Sequence, residues 1–240
     1  MSRTVLVTGG GTGIGKAIAA AFAGRGDGVV ITGRRQEVLD KAAADLGGAV
    51  RTACFDAADP AQVEAFAATL GEVDVLVNNA GGNTDFDRGE PGGLAAVAEN
   101  WRANLEANVL TAVLMTTACL GKLRPGGSIV TIGSIAADKG AGSYGAAKAA
   151  IASWNIDLAR TVGRRGLTAN VVAPGYIADT EFFRDKLTDE RRSSLIDAAM
   201  TGRAGAPEDI AETVTFLASP GARQLTGQVI PVNGGECTTR

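Results

Sequence analysis

Histidine is absent from all 240 residues. That absence removes Ser-His-Asp hydrolysis, His-ligated zinc and imidazole acid–base chemistry, and leaves Tyr, Lys, Asp, Glu and Cys to move any proton. Cysteine is scarce. Cys54, Cys119 and Cys237 are odd in number, widely spaced and form no CxxC pair, so neither a disulfide framework nor a metal site is expected and a reducing cytosol is the simplest compartment. Cys54 and Cys119 lie in apolar runs that read as core, and Cys237 near the tail reads as the exposed thiol. Positive charge is not in excess either: 23 basic against 26 acidic residues leave −3, which argues against nucleic acid or an anionic membrane as the main partner. No stretch of about 18 apolar residues free of charge occurs, so no membrane span is expected. The opening MSRTVLVTGG has no charged segment followed by a long apolar one, so the expectation is no secretory signal and a cytoplasmic location.

What is present fits one domain, residues 1–240, of the larger α/β kind: 45% of residues are hydrophobic and 20% charged. Glycine is abundant at 33 residues, without a Gly-X-Y period, so it serves turns, close packing or ligand approach. Short apolar runs read as strands at Thr4–Thr8, Gly28–Thr32, Ala49–Phe55, Val73–Val77, Gly127–Ile132, Leu167–Val172 (stopped by Pro174) and Gln228–Pro231. Between them helices are predicted over Ile14–Gly24, Gln36–Leu46, Pro60–Leu70, Leu94–Leu120 with a break, Ser143–Val162 and Ala206–Ala218. Strands without polar alternation, separated by helices, imply a doubly wound parallel sheet covered on both faces. Two long connections, residues 81–93 and 177–205, read as binding segments or lids.

Three groups of residues carry chemistry. Thr8-Gly9-Gly10-Gly11-Thr12-Gly13-Ile14-Gly15 lies between the first strand and first helix, where glycines admit a pyrophosphate and the helix N-terminus supplies N–H donors. It lacks the Lys-Ser/Thr ending of a P-loop, which disfavours NTP hydrolysis; the alternative is an ordinary packed turn. At the end of the second strand, Gly33 stands where an NAD site usually has a carboxylate and is followed by Arg34 and Arg35, whose guanidiniums suit a 2′-phosphate. The plain alternative is a solvated pair near a helix start. Tyr144 and Lys148, at i and i+4, share one helical face, and a neighbouring ammonium lowers the Tyr pKa, giving an acid–base in a chain without His; the plain alternative is a chance pair on a helix surface.

With these motifs on the page, the chain resembles the short-chain dehydrogenase/reductases of the smaller type over essentially its whole length. TGGGTGIG (Thr8–Gly15), NNAG (Asn78–Gly81), Asn108, Ser134, Tyr144-xxx-Lys148, Pro174-Gly175, the stretch Gly202–Ser219 and TGQVIPVNGG (Thr226–Gly235) follow in the family's order. Within the family it looks most like the 3-oxoacyl-acyl-carrier-protein reductases. The resemblance implies a Rossmann-type sheet of about seven strands in the order 3-2-1-4-5-6-7. It implies Tyr144 as proton donor and acceptor, Lys148 on the nicotinamide ribose, Ser134 on the substrate carbonyl and Asn108 holding a water in a relay to Lys148. Thr8, Gly9, Thr12, Gly13, Ile14 and Gly15 would line the phosphates, with Arg34 and Arg35 near the 2′-phosphate. Asp56 would sit at the adenine edge and Asn78, Ala80 and Gly81 along the adenosine ribose. Pro174, Gly175, Ile177 and Thr180 would lie near the carboxamide. For Asn78 and Asn79 the alternative is a strand-end cap, for Asn108 a structural kink in its helix, and for Asp56 a cap or turn.

Three departures from the family's pattern stand out. Ser134 precedes Tyr144 by only 10 residues, with Ser143 or Thr131 able to compensate; Thr180 comes one place late, with Asp179 in its usual position; and Thr12 replaces a basic residue common in NADP-preferring members. The expectation is an oxidoreductase acting on a ketone or 3-oxoacyl group, preferring NADP(H) with NAD(H) as the alternative. It would assemble as a homotetramer or homodimer through the two long helices and the Thr226–Arg240 tail. Lys122, Arg124, Arg164 and Arg165 either greet an acidic carrier protein or are solvated charges. The alternatives are a sugar, polyol, polyketide or xenobiotic reductase, with substrate choice set by residues 82–93 and 179–200, and a non-catalytic dinucleotide sensor.

Overall fold

A computed structural model describes residues 2–47, 50–88 and 92–238. Seven parallel strands form one sheet in the order β3-β2-β1-β4-β5-β6-β7, as expected. They are β1 Thr4–Thr8, β2 Gly28–Gly33, β3 Val50–Cys54, β4 Val73–Asn78, β5 Leu123–Ile132, β6 Thr168–Pro174 and β7 Val229–Val232. Ala49, read as the start of the third strand, lies outside the described residues, as do residues 89–91 of the first long loop and residues 239–240 of the tail.

Alternation along the strands builds the two helical layers. In β1, Val5 and Val7 pack with Ile18 and Phe22 of α1 (Gly13–Ala23), Leu39 of α2 (Gln36–Leu46) and Val214 and Leu217 of the helix Pro207–Leu217. Leu6, between them, faces the other way, onto Met115 and Cys119 of the helix Thr111–Cys119 and Leu158 and Val162 of the helix Gly142–Gly163. Withdrawing each such side chain from water is worth about 1.5–3 kcal/mol, so both faces demand a cover. The covering helices are α3 (Pro60–Thr69), α4 (Leu94–Leu105), α5 (Thr111–Cys119) and α7 (Gly142–Gly163) on the Leu6 side and α1, α2 and α9 (Pro207–Leu217) on the other, with short α6 (Ala136–Lys139) and α8 (Asp189–Asp197) at the edge. The chain winds outward through β1, β2 and β3 and then reverses from β4, which leaves a crevice at the carboxyl ends of β1 and β4.

Three elements differ from the sequence reading, and so do two thiols: Cys54, read as core, is exposed at the end of the edge strand β3, while Cys237 is half-buried. β5 starts at Leu123 because Pro125-Gly126-Gly127, read as a turn, is taken into the strand as an irregularity: Val73 pairs with Leu123 but Val75 with Ser128. β6 continues through Pro174, which closes the strand against Val232 rather than stopping it early. The polar stretch 177–205 contains α8, capped by Thr188, whose Oγ accepts from the Arg191 N–H at 3.2 Å. The expected break in the long helix is a π-helical turn, Glu106–Leu110, between α4 and α5. By length and composition alone the continuous run Leu94–Lys122 would pass for a membrane span, despite its charges; its inner side packs on α7, α3 and β4.

Candidate active site

The glycine-rich turn leaves the carboxyl end of β1 and is locked to β4. The Thr8 hydroxyl accepts from the N–H groups of Asn79 and Ala80, both at 3.0 Å, and Asn79 Nδ2 donates to the carbonyls of Thr8 and Gly9, also at 3.0 Å. Gly9 has φ +64° and Gly13 φ +48°, conformations that L side chains rarely take. A Cβ at Gly15 would collide with the Gly9 carbonyl and the Asn79 amide. Thr12 stands at the N-cap of α1, yet its side chain makes no capping bond and the first turn holds no acid. The positive end of this helix is therefore open to an anion approaching across bare backbone.

Around this turn stand the other cofactor candidates. Arg34 and Arg35 follow β2 and are exposed, and Arg35 Nη2 is 3.0 Å from a Glu181 carboxylate oxygen. Asp56 lies just past β3 and closes a turn, its Oδ1 accepting from Ala58 N–H at 2.9 Å. The Asn78 side chain points inward, Nδ2 donating to Thr116 Oγ at 2.8 Å, while its Oδ1 is buried without a partner. Its main chain alone is left to face the crevice. Ile177 is buried in the core and bridges to Gly205. The Thr180 methyl faces Gly13, and its Oγ donates to the Ile177 carbonyl at 3.3 Å. Gly175 packs on Asn233 and donates to the Val232 carbonyl at 3.2 Å.

The acid–base group forms where β5 meets α7. Ser134 follows β5; its Oγ accepts from Ala136 N–H at 3.1 Å and interacts with Tyr144. The short Ser134–Tyr144 spacing is accommodated by the single turn of α6, with Gly140 and Gly142 at positive φ. Tyr144 and Lys148 are each 6% exposed on the inner face of α7. Lys148 Nζ donates to the Ile132 carbonyl at 2.8 Å and lies 5.8 Å from the centre of the Tyr144 ring. Burial lowers the Lys148 pKa to about 8. Burial also pushes Tyr144 up to about 12, against a smaller downward pull from Ser134. That reverses the expected depression of the tyrosine: desolvation of the phenolate outweighs an ammonium that is turned toward a carbonyl.

Asn108 sits in the π turn. Its Oδ1 accepts from Gly82 N–H at 3.0 Å and its Nδ2 donates to Gly82 C=O at 2.9 Å and to Asn104 C=O at 3.0 Å. Its side chain is thus engaged with the loop after β4, so a relay to Lys148 would have to use other atoms. Sequence reasoning missed three groups here. Asn79 locks the glycine turn. Buried Asn104 holds Asp85 and Ser143 through Nδ2, at 2.9 and 2.8 Å, and Thr84 N–H through Oδ1 at 3.1 Å. An aromatic cluster roofs Tyr144, with Phe182 5.6 Å from its ring centre, and Phe86 and Phe183 behind. The N-N doublet was a visible signal for Asn79; nothing in the sequence pattern joined Phe86 to Phe182. With this roof in place, the cavity of about 470 Å³ at residues 176–204 includes none of Ser134, Tyr144 and Lys148 in its lining.

The basic residues read as a landing site for a carrier lie elsewhere. Lys122 and Arg124 open β5 and Arg164 and Arg165 precede β6, at the amino edge of a parallel sheet whose carboxyl edge holds Tyr144. Lys122 donates to Leu70 C=O at 2.6 Å, Arg124 pairs with Glu72 at 2.8 Å, and Arg165 donates to Leu120 and Leu123 carbonyls, both at 2.8 Å.

A family profile described as enoyl-(acyl carrier protein) reductase matches residues 9–236. The chain belongs to the short-chain dehydrogenase/reductase family. It is an oxidoreductase of that family. It is 36% identical over 242 residues to the 3-oxoacyl-(acyl-carrier-protein) reductase FabG of Escherichia coli strain K12, covering 97% of this chain and 96% of that protein. Among solved structures, it matches a short-chain dehydrogenase/reductase described as glucose/ribitol dehydrogenase from Brucella melitensis, with TM-score 0.89, 32% identity and coverage of 99% and 97%. It also matches a blue fluorescent protein from a metagenomic library in complex with NADPH, with TM-score 0.85, 33% identity and coverage of 98% of both chains.

Proposed function

We propose that this single-domain chain reduces a ketone or 3-oxoacyl group to the alcohol, or runs the reverse, with NADP(H). The observation that carries the reading is the meeting of Ser134, Tyr144 and Lys148 beside an open helix end and a glycine cradle. The residues present fit the cofactor: Gly9, Gly13, Ile14 and Gly15 would take the pyrophosphate, Arg34 and Arg35 the 2′-phosphate, and Lys148 the nicotinamide ribose. No carboxylate stands at Gly33 to favour an unphosphorylated ribose. The NADPH-bound neighbour supports the same choice.

When bound, the nicotinamide supplies or accepts the hydride. The chain's part is proton and charge. Tyr144, with a pKa of about 12, is protonated at neutral pH and donates its proton to the substrate oxygen. Ser134 hydrogen-bonds that oxygen as negative charge develops on it. Lys148, held by Ile132, supplies positive potential to the phenolate that Tyr144 leaves behind.

A thioester on an acyl carrier is the proposed substrate, supported by the FabG relatives rather than by surface charge. We also propose a homotetramer or homodimer. Trp101, Leu105 and Leu110 of the α4–α5 run and Ile156 of α7 expose large apolar side chains in one region, and Phe216 and Val229 in another. The first is the face of the two long helices read as an interface from the sequence; Val229 belongs to the tail read as the second, and Phe216 lies outside it.

Parallel titrations with NADPH and NADH, followed by an acetoacetyl thioester and a carbonyl panel, test the reading. NADPH binding tighter than NADH binding, with thioester-dependent oxidation of NADPH, is expected. Turnover of other carbonyls only would move the substrate, and binding of neither nucleotide would overturn the proposal.

A further inference from the structure

Segment 179–184 touches both ends of the proposed site. Thr180 rests on Gly13 of the glycine turn, Glu181 pairs with Arg35 after β2, and Phe182 stacks on Tyr144. Its two ends, Asp179 (φ +55°) and Arg184 (φ +54°), are the two non-glycine residues with positive φ among the described residues. Such conformations are sparsely populated and mark places where a segment changes path. The segment is pinned to the loop after β4 by Arg184 with Asp87 at 2.5 Å and by Lys186 donating to the Phe86 carbonyl. Three consecutive side chains therefore reach the phosphate cradle, the ribose-end arginine and the proton donor.

We propose that Glu181 is a specificity-determining residue that couples the 2′-phosphate to the roof over Tyr144. This rests on the NADP(H) reading above. The Glu181 carboxylate occupies the Arg35 guanidinium that a 2′-phosphate would use. Two anions cannot share it without mutual repulsion, so a 2′-phosphate displaces Glu181. Arg34 has no ion-pair partner among the described residues and is free to receive the phosphate first. Both members of the Arg35–Glu181 pair are more than half exposed, so the exchange is inexpensive and reversible. Released at Glu181, the neighbouring Phe182 loses one of the holds that keep it over Tyr144, the others being Phe86 and Phe183. A nucleotide without the 2′-phosphate leaves the pair intact and the roof in place. Glu181 thus tunes cofactor discrimination and gives the phosphorylated cofactor access to the acid.

The test uses adenosine 2′,5′-bisphosphate and adenosine 5′-monophosphate, which differ by the 2′-phosphate and carry no nicotinamide. Binding to wild type, Glu181→Gln and the double variant Glu181→Gln/Arg35→Gln is measured by calorimetry, and hydrogen exchange is followed in peptides covering 178–188. Glu181→Gln is expected to tighten the bisphosphate by about two- to fivefold, the range of an exposed ion pair. It should leave the monophosphate unchanged, and the gain should vanish in the double variant. In wild type the bisphosphate, not the monophosphate, should speed exchange across 178–188, and Glu181→Gln should do so without ligand. Unchanged bisphosphate affinity in Glu181→Gln, or protection of 178–188 by the bisphosphate, overturns the coupling. If wild type does not prefer the bisphosphate at all, it is the NADP(H) reading that fails.

Discussion

Asn108 grips Gly82 through both main-chain groups of that residue, accepting from its N–H at 3.0 Å and donating to its C=O at 2.9 Å. Asn108 is 2% exposed and Gly82 half-buried, and the pairing fixes the loop after β4 to the helix beneath it. Asn108→Leu keeps the approximate volume and removes every bond. Leaving buried main-chain groups unpaired costs about 1–3 kcal/mol each, and Gly82 is only half-buried, so a loss of about 1–3 kcal/mol in unfolding free energy is expected. Urea denaturation of the variant checks it, and an unchanged midpoint would show that water replaces the amide at no cost.

Tyr144→Phe removes only the hydroxyl and keeps the ring that Phe182 packs on. Turnover is expected to fall by about 10²–10⁴, the usual contribution of a positioned acid, while nucleotide affinity stays within about twofold. Steady-state rates together with fluorescence titration separate the two effects. Retained turnover would reassign the proton donor.

Lys148 makes stability depend on pH in a defined direction. Its folded pKa of about 8 lies below the ordinary 10.5, so the native state releases this proton before the unfolded chain does. Below about pH 8 both states hold the proton and the burial penalty is fully present. Above it the unfolded chain binds more protons, and unfolding free energy climbs with pH at up to about 1.4 kcal/mol per unit. The climb is largest from pH 8 to 9, where Cys119, with an ordinary value of 9.0, already offsets part of it. At higher pH the raised values of Cys119, about 11, and Tyr144, about 12, contribute with the opposite sign. Thermal or denaturant melts at pH 8 and 9 should show the climb in wild type and not in Lys148→Met. In kcat/KM for reduction, the same group should set a descending limb near pH 8.

Gly15→Ala tests the cradle. The added methyl meets the Gly9 carbonyl and the Asn79 amide, neither of which can move without breaking the lock between β1 and β4. A destabilisation of about 1–3 kcal/mol is expected, with weakened binding of both NADPH and NADH. Differential scanning fluorimetry with and without each nucleotide reads both effects.

The sheet was legible because its strands are short apolar runs punctuated by glycine and proline, and its order followed from the family resemblance. β5 was misjudged at its start because Pro125-Gly126-Gly127 carries the local signature of a turn, and only pairing with Val73 pulls it into the ladder. α8 was invisible because DERRSSLID has no apolar stripe; its cap at Thr188 holds it at the surface. Within the site, Tyr144 and Lys148 were found by helical spacing. The sign of the tyrosine's shift was not, because burial is a property of the packed fold and Phe182 lies 38 residues further along the chain. Asn104 and Glu181 escaped for the same reason, since their partners are distant in sequence.

The π turn at Glu106–Leu110 fits one more residue into its loop of helix than an α-turn would hold. Excising a single residue there, Ala107 for example, would let the run wind on as an unbroken α-helix. Everything on the amino side would keep its phase, because the bulge takes up the surplus residue instead of passing about 100° of rotation on to the rest of the helix. Winding the full sequence as plain α-helix would instead carry Asn104 away from Ser143 and Asp85 and turn the face of Trp101 elsewhere. One turn of looser helix thus stores a residue of surplus chain and holds the angular phase between the helix that meets the loop after β4 and the helix that lies on the sheet.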